Sequence, residues 1–229
     1  MDDDFIYWRH PTPPGIKVEE VSGGASRQGR VWREMALQIY CENGRDGYRE
    51  VGHFDSGAPF VSGSDARISV THTDGLLCVA TLPPTPEVRL GEFSERAAMG
   101  IDAERLDREK VLRVRERFLS PDELELVAAD DVAANVLAWT AKEALYKAAL
   151  TPGLDFRTQI IVDSLPEIHD NPAFPSAPRP VYGSARIVMP SGEVVAMRLY
   201  SYRSDDCVVT VAFSPRCARF GRQADVNDC

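Results

Sequence analysis

Apolar and polar residues alternate in several short stretches of the chain, which is the pattern of β-strands with one buried face. Ile68, Val70 and His72 alternate with polar neighbours. Asp74-Gly75 then supplies a two-residue turn, and residues 76–82 form the apolar return strand of a hairpin. Further strands are predicted over residues 98–104, 159–162, 185–189, 194–200 and 207–213.

The strongest helix signal covers residues 131–150, where apolar residues recur at the helical period. The predicted apolar face holds Ala133, Ala134, Leu137, Ala141, Ala144, Leu145 and Ala148, and the other face holds Asn135, Trp139, Thr140, Lys142, Glu143, Tyr146 and Lys147. The small alanines indicate close packing on a sheet. Residues 151–153 (Thr-Pro-Gly) end the helix.

Other helices are predicted to be shorter. Residues 27–40 are rich in helix formers, and residues 108–118 predict a basic helix. In residues 120–123 (Ser-Pro-Asp-Glu), the serine suits an N-cap, the proline a first helical position and the glutamate a capping box. A further helix is therefore expected to begin after Ser120.

Prolines mark two connections along the chain. Residues 82–96 contain three prolines and are predicted to join two halves, which we place at residues 1–96 and 97–229. Residues 166–180 contain five prolines and predict an exposed loop of unknown role.

Composition narrows the class of protein. The chain has 229 residues, 44% of them hydrophobic and 27% charged, which is typical of a globular protein. A net charge of −9 disfavours a general nucleic-acid binder, because phosphate binding requires a basic surface. Five cysteines without a C-x-x-C pair predict free thiols in a reducing compartment such as the cytoplasm. No apolar run approaches the ~20 residues of a membrane span, and the acidic start does not resemble a secretory signal.

Two acidic residues on the predicted strand 98–104 suggest a cation site. Side chains alternate along a strand, so Asp102 and Glu104 share one face while Met99, Ile101 and Ala103 point toward the core. Two neighbouring carboxylates repel each other, and a hard cation such as Mg²⁺ between them relieves the repulsion. The alternative is a solvated strand edge with two ordinary acids.

The helix 131–150 carries a second candidate group. Glu143 and Lys147 are i, i+4 neighbours, which on an exposed helix is an ordinary surface ion pair. Trp139 on the same predicted face indicates that this side meets protein or ligand. A cation held by Asp102, Glu104 and Glu143, with lysines alongside, would make a site for a polyphosphate.

Three motifs in this order and spacing resemble those of the 4′-phosphopantetheinyl transferases. They are GIDAE at 100–104, RFLSPDEL at 117–124 and WTAKEALYK at 139–147, and GAP at 57–59 and VTHT at 70–73 resemble two upstream elements. The resemblance implies the longer single-chain type, an α+β fold of two similar lobes. Each lobe would be a small, mainly antiparallel sheet packed on a long helix, with the coenzyme in the cleft between them. A monomer is the expected state.

The resemblance also implies an activity, the Mg²⁺-dependent transfer of the phosphopantetheine arm of coenzyme A to a serine of an acyl or peptidyl carrier protein. The leaving group is 3′,5′-ADP. The implied roles are Mg²⁺ binding for Asp102, Glu104 and Glu143, diphosphate contacts for Lys142 and Lys147, and coenzyme contacts for His72 and Thr71. Glu123 matches an acid proposed as the base for the carrier serine, with Glu143 and a metal-bound water as rivals.

This chain departs from the family pattern at three places. Ala58 replaces a residue that is often basic, and Thr71 and Thr73 stand where serines are common. No clear N-terminal basic motif for the 3′-phosphate is present. The candidates for that role are Arg27, Arg30 and Arg33, which otherwise form a solvated helix face.

Residues 105–117 carry a local positive charge inside an acidic chain. Carrier proteins are acidic, so this segment is a candidate docking surface, with Arg108, Arg113 and Arg117 as its main contacts. The alternative is a solvated amphipathic helix.

Two other functions fit parts of the pattern. A metal-dependent nuclease also uses an Asp-x-Glu pair with a later Glu and Lys, although the acidic charge and the intact 139–147 motif disfavour it. An inactive module that binds coenzyme A or a carrier protein is the non-enzymatic alternative.

Overall fold

The computed structural model describes residues 6–10, 16–22, 51–82, 89–170 and 181–216. Within these ranges the fold is α+β, as predicted. The predicted helix over 27–40, with Arg27, Arg30 and Arg33, lies outside the described residues. The division into lobes at residue 96 stays a prediction.

The N-terminal part forms a four-stranded sheet and a separate hairpin. The strands are β1 (Ile6–His10), β2 (Lys17–Ser22), β3 (Val51–His53), β4 (Pro59–Val61), β5 (Arg67–Thr73) and β6 (Leu76–Leu82). The sheet is antiparallel in the order β1-β2-β6-β5, and β3 pairs with β4. The predicted β5–β6 hairpin is confirmed, with Gly75 at φ 81° in its turn.

The C-terminal part forms a larger sheet. Its strands are β7 (Met99–Arg105), β8 (Ile160–Ser164), β9 (Ile168–Asp170), β10 (Gly183–Val188), β11 (Val194–Ser204) and β12 (Cys207–Phe213). The order is β7-β12-β11-β10-β8, and β9 runs parallel beside β11. All five predicted strands are present. β11 continues past residue 200 because its hairpin with β12 closes at Ser204 and Cys207.

Four helical segments lie between β7 and β8. They are a 3₁₀ turn (Glu109–Arg113), α1 (Arg115–Phe118), α2 (Pro121–Leu126) and α3 (Val132–Ala149). The prediction of one basic helix over 108–118 is wrong, because the segment breaks at Val114 (φ −117°, ψ 0°). Val111, Val114 and Phe118 are spaced as one apolar helical stripe and pack into the core, so the sequence pattern by itself does not show the break.

Side-chain caps begin the two longer helices. The predicted capping box of α2 is confirmed: Ser120 Oγ accepts from Glu123 N (3.3 Å) and a Glu123 carboxylate oxygen accepts from Ser120 N (2.7 Å). At α3, Asp131 Oδ1 accepts from Ala134 N at 3.0 Å. The helix ends at Leu150, which adopts the left-handed conformation (φ 50°).

Helix α3 packs closely on β7 and β12. Ala141, Ala144 and Ala148 are fully buried against the sheet. A Cβ on Gly100 would lie 2.1 Å from the Ala144 carbonyl oxygen, so only glycine allows this approach. The close contact brings the last turns of α3 directly over β7.

The predicted division of α3 into an apolar and a polar face is partly wrong. Asn135, Thr140 and Lys142 are completely buried, and Ala133 is exposed. The reason is that polar partners come from other elements: Arg115 of α1 for Asn135, Thr210 of β12 for Thr140, and Glu123 of α2 with Ile160 of β8 for Lys142. Among the described residues, no helix is long and apolar enough to cross a membrane.

Candidate functional site

Three hydroxyl side chains join the two sheets. On β5, Ser69 Oγ accepts from the backbone N of Ile101 (3.1 Å), and Thr71 Oγ1 accepts from that of Ala103 (3.2 Å). Alternate residues of β5 thus accept hydrogen bonds from backbone N–H groups of β7, although the two strands belong to different sheets and do not pair with each other. The position of β7 relative to β5 is therefore fixed by side chains.

The same strand also orients the two acidic residues of β7. Thr71 Oγ1 donates to Asp102 Oδ1 (3.0 Å), and Thr73 Oγ1 donates to Glu104 Oε1 (3.1 Å). Asp102 and Glu104 are each 8% exposed and lie on one face, opposite the core residues Ile101 and Ala103. Thr71, predicted to contact the coenzyme, therefore contacts a carboxylate through its hydroxyl.

Helix α3 adds an ammonium group and a third carboxylate to this face. Lys147 Nζ donates to Asp102 Oδ1 at 2.7 Å, and it also contacts the carbonyl oxygens of Ile101 (3.0 Å) and Val70 (3.4 Å). Burial and then the charge of Asp102 raise the pKa of Glu143, while Lys147 partly offsets the shift. Two repelling carboxylates therefore lie near one ammonium group.

These groups line a pocket between β5 and α3. Its volume is about 480 Å³, within the range of small-molecule sites. The lining includes Asp102, Glu143 and Lys147, together with residues from both upstream motifs: Gly57, Ala58, Pro59, Val70, Thr71 and His72. The structure thus brings predicted segments from distant parts of the sequence to one cavity.

Glu104 lies apart from that cavity. Its carboxylate forms an ion pair with Arg108 and accepts from Thr73, and it does not line the pocket. In the part of the chain that is described, no three His, Cys, Asp or Glu side chains form a group that could hold a metal ion. The predicted ligand set therefore divides into Asp102 and Glu143 at the pocket, with Glu104 further along β7.

Lys142 and Glu123, two of the predicted site residues, are not among the residues that line the pocket. Lys142 is 0% exposed and Glu123 is 2% exposed. Lys142 Nζ lies 2.6 Å from Glu123 Oε2 and also donates to the carbonyl oxygens of Phe156 and Ile160. Glu123 Oε1 further accepts from Val162 N at 2.6 Å.

This buried pair joins α2, α3 and β8. Burial lowers the pKa of Lys142, and the hydrogen bond that Lys142 donates to Glu123 partly offsets that shift. The other hydrogen bonds of Lys142 and Glu123 are made with backbone groups, including the capping N–H of Ser120, and neither residue lines the cavity. The structure therefore gives both residues a place in the interior packing.

The basic residues of 105–117 also separate into different environments. Arg105 pairs with Asp107 at 2.8 Å, and Arg115 contacts Asn135 and backbone carbonyls. Arg113 and Arg117 are exposed. Arg108, the third predicted docking contact, is also exposed and forms an ion pair with Glu104.

Aromatic residues link α1 to the pocket. Trp139 packs edge-on against Phe118 (ring centroids 5.0 Å apart) and stacks on Phe156 (6.1 Å), which stacks on Tyr146 (5.4 Å). Trp139 thus meets protein, one of the two expected possibilities.

Sequence reasoning missed Tyr146 as a pocket residue and Ser69 as a clamp, a side chain that joins β5 to β7. The alternation of hydroxyls at 69, 71 and 73 was the available signal for the clamp.

Comparison with known families agrees with the motif resemblance. The family model described as the 4′-phosphopantetheinyl transferase superfamily matches residues 98–178. The match contains β7, α3 and β8, and therefore the acidic strand and the helix that bears Glu143 and Lys147. Among curated proteins, no sequence matches the chain.

Proposed function

We propose, on the premise that residues 98–178 form a domain of the 4′-phosphopantetheinyl transferase superfamily, that the chain transfers phosphopantetheine from coenzyme A to a carrier-protein serine. The serine oxygen forms a bond to the β-phosphorus of the coenzyme, and the bond to 3′,5′-ADP breaks. The observation that carries the proposal is the convergence of Asp102, Glu143 and Lys147 on one pocket.

The pocket suits a ligand with both polar and apolar parts. Ile68, Val70 and Tyr146 supply apolar surface, while His53 and His72 add polar groups. Small-molecule sites commonly combine a largely apolar lining with a few polar groups that fix the orientation of the ligand. We place the diphosphate of coenzyme A at the acidic and basic end, beside Lys147.

The donor set at that end fits Mg²⁺. Asp102 and Glu143 present hard carboxylate oxygens to the same cavity. Burial and then the charge of Asp102 raise the pKa of Glu143, and a dication would relieve the repulsion between the two carboxylates. These two residues would hold the ion, with Glu104 as the third ligand implied by the motif. When bound, Mg²⁺ neutralises charge on the diphosphate oxygens.

Lys147 provides the protein's own positive charge in the pocket. Phosphoryl transfer depends mainly on positioning and on stabilisation of charge at the oxygens of the transferred group. An ammonium that already lies at the pocket wall serves that purpose when the diphosphate is present.

Of the two candidate side-chain bases, Glu143 has the suitable position. It lines the cavity, where a carboxylate oxygen that is not bound to the ion would accept the serine proton. Glu123 has both oxygens engaged in the buried pair with Lys142. We therefore assign removal of the serine proton to Glu143.

The carrier protein is proposed to dock on the exposed side of the segment that follows β7. Arg113 and Arg117 are exposed there, and an acidic carrier would be attracted to them. Ring contacts run from Phe118 of this segment through Trp139 and Phe156 to Tyr146, which lines the pocket. The serine would thus approach from the side of α1.

Intact-protein mass spectrometry of an apo carrier protein, incubated with this chain, coenzyme A and Mg²⁺, tests the function. The expected result is a mass gain of one phosphopantetheine arm, lost with EDTA and with a carrier whose acceptor serine is alanine. No gain on carriers from several pathways, despite coenzyme binding, would favour a binding module. Mg²⁺-dependent cleavage of DNA or RNA would favour the nuclease.

A further inference from the structure

The Lys147 ammonium has three oxygen partners within the protein. A lysine ammonium carries three N–H donors, and Nζ lies 2.7 Å from Asp102 Oδ1, 3.0 Å from Ile101 O and 3.4 Å from Val70 O. A carboxylate and two carbonyl oxygens form the kind of environment that a small cation occupies. The Lys147 ammonium thus occupies a position whose oxygen atoms would also suit a metal cation.

We propose that Lys147 is an internal counter-cation that competes with the divalent cation for Asp102 and is released when the diphosphate of coenzyme A binds. Binding of the cation and of the coenzyme is then positively coupled through this one side chain. The inference rests on the proposed function, since the diphosphate is the ligand that draws the ammonium away.

The burial of Asp102 explains why a counter-cation is needed. The residue is 8% exposed, and a carboxylate without a partner at such a position destabilises the fold. Thr71 donates one hydrogen bond but carries no charge. In the absence of a divalent cation, Lys147 is the positive group on this carboxylate.

The Lys147 side chain is placed so that its ammonium can move away from Asp102. Lys147 is 30% exposed and lines the pocket, unlike the fully buried Lys142 of the same helix. Its flexible four-carbon stem allows the ammonium to move while the helix stays fixed. A diphosphate in the pocket offers stronger acceptors than the carbonyl oxygens of Ile101 and Val70.

The second acid of β7 shows the same arrangement. Glu104 pairs with Arg108, whose side chain is 49% exposed. Each acidic residue on this strand face therefore has its own basic partner from a later segment.

Manganese titrations followed by electron paramagnetic resonance test the competition directly. The protein is freed of metal and titrated with Mn²⁺ without coenzyme, as wild type, Lys147→Met and Lys110→Met. Lys110 is exposed and forms no ion pair with Asp102 or Glu143 among the described contacts, so its replacement removes the same charge as a control. We expect Lys147→Met to tighten Mn²⁺ binding about 5–150-fold, the usual range of coupling between sites, and Lys110→Met to change it less than about twofold. Equal Mn²⁺ affinity in wild type and Lys147→Met, or equal tightening by both variants, would overturn the competition.

A second measurement examines the release of the lysine without any metal. Calorimetric titration with coenzyme A in EDTA compares wild type with Asp102→Asn and Asp74→Asn. Asp74 is an exposed acid in the β5–β6 turn, where asparagine suits the turn equally well. Asp102→Asn is expected to tighten coenzyme binding at least about fivefold because it frees Lys147 in advance. The same change in both variants would contradict the proposal.

The two proposals fail in different ways. If wild type binds no coenzyme A even with Mg²⁺, the proposed function fails, and the Mn²⁺ titrations still decide whether Lys147 occupies the cation position. If coenzyme A binds and is transferred while Lys147→Met leaves Mn²⁺ affinity unchanged, the function stands and the counter-cation is wrong.

Discussion

Single side chains in this protein hold both the fold and the site. Thr71 accepts a hydrogen bond from the backbone of β7 and donates one to Asp102, so one hydroxyl fixes a strand and orients a carboxylate. Thr210 is the register partner of Asp102 on β12, but its hydroxyl contacts only Thr140 and Ser201 among the hydrogen bonds of the described residues. The two threonines therefore separate the two effects.

Thr71→Val should reduce stability and cation affinity together. The free energy of unfolding is expected to fall by about 1–3 kcal/mol because the Ala103 N–H loses its acceptor. The Mg²⁺ concentration for half-maximal transfer should rise, and Thr71→Ser should restore it. Thr210→Val is the control, with a similar stability loss and an unchanged Mg²⁺ requirement. An unchanged requirement in Thr71→Val would refute the orienting role.

The buried pair of Lys142 and Glu123 predicts strong coupling in a double-mutant cycle. Lys142→Met should destabilise the protein by about 3–5 kcal/mol, since it leaves a buried carboxylate without its charge partner. Adding Glu123→Gln should cost less than the sum of the single changes by at least about 1 kcal/mol. Urea denaturation measures all four proteins. Additive losses would show that the pair does not act as a unit.

The raised pKa of Glu143 predicts a pH-dependent stability. The folded protein binds this proton more tightly than the unfolded chain, so stability falls as pH rises from the ordinary value of 4.5 through the raised pKa. In EDTA, Glu143→Gln should be more stable than wild type at neutral pH, and the difference should vanish near pH 4. Thermal melts between pH 4 and 8 measure it. A less stable variant at pH 7 would mean that the charged form is favoured by folding.

Among the secondary-structure elements, the contact between α3 and β7 decides the site. Gly100 lets the helix approach closely enough for Glu143 and Lys147 to reach the β7 face. Gly100→Ala should lower the free energy of unfolding by about 3 kcal/mol, because the new methyl group meets helix backbone rather than a flexible side chain. Thermal denaturation tests this, with Ala133→Gly on the exposed side of α3 as the milder control. A smaller loss in Gly100→Ala than in the control would contradict the packing argument.

Local sequence signals predicted those elements whose pattern is complete within a few residues. The β5–β6 hairpin, the β7 strand and the capping box at Ser120 depend on near neighbours in the chain. The burial of Lys142 depends on distant segments that cover it. Patterns along one helix do not reveal partners from α2 and β8. The motifs indicated the residues that share the pocket, Asp102, Glu143 and Lys147, but they did not indicate that Lys142 and Glu123 are buried.

For the whole molecule, charge distribution matters more than total charge. The chain carries −9, yet Arg113 and Arg117 are exposed on the segment that follows the strand with Asp102. An acidic partner is steered by such a local surface rather than by the average.

Reversing these charges should weaken carrier binding alone. The double change Arg113→Glu and Arg117→Glu is expected to raise KM for the carrier about tenfold or more and to leave KM for coenzyme A unchanged. Arg198→Glu, an exposed position on β11, is the matched control. Steady-state kinetics at two salt concentrations measure both constants. An unchanged KM for the carrier protein would show that Arg113 and Arg117 do not form its docking surface.

The central claim is that transfer takes place at the pocket of Asp102, Glu143 and Lys147, away from the buried pair of Glu123 and Lys142. The most direct test is single-turnover transfer to a carrier protein, followed by intact mass, for wild type, Asp102→Asn and Glu123→Gln, each checked for folding. The account predicts that Asp102→Asn slows transfer by about 10²-fold or more, while folded Glu123→Gln stays within about tenfold of wild type. A larger loss in Glu123→Gln than in Asp102→Asn would place the chemistry at the buried pair and contradict the account.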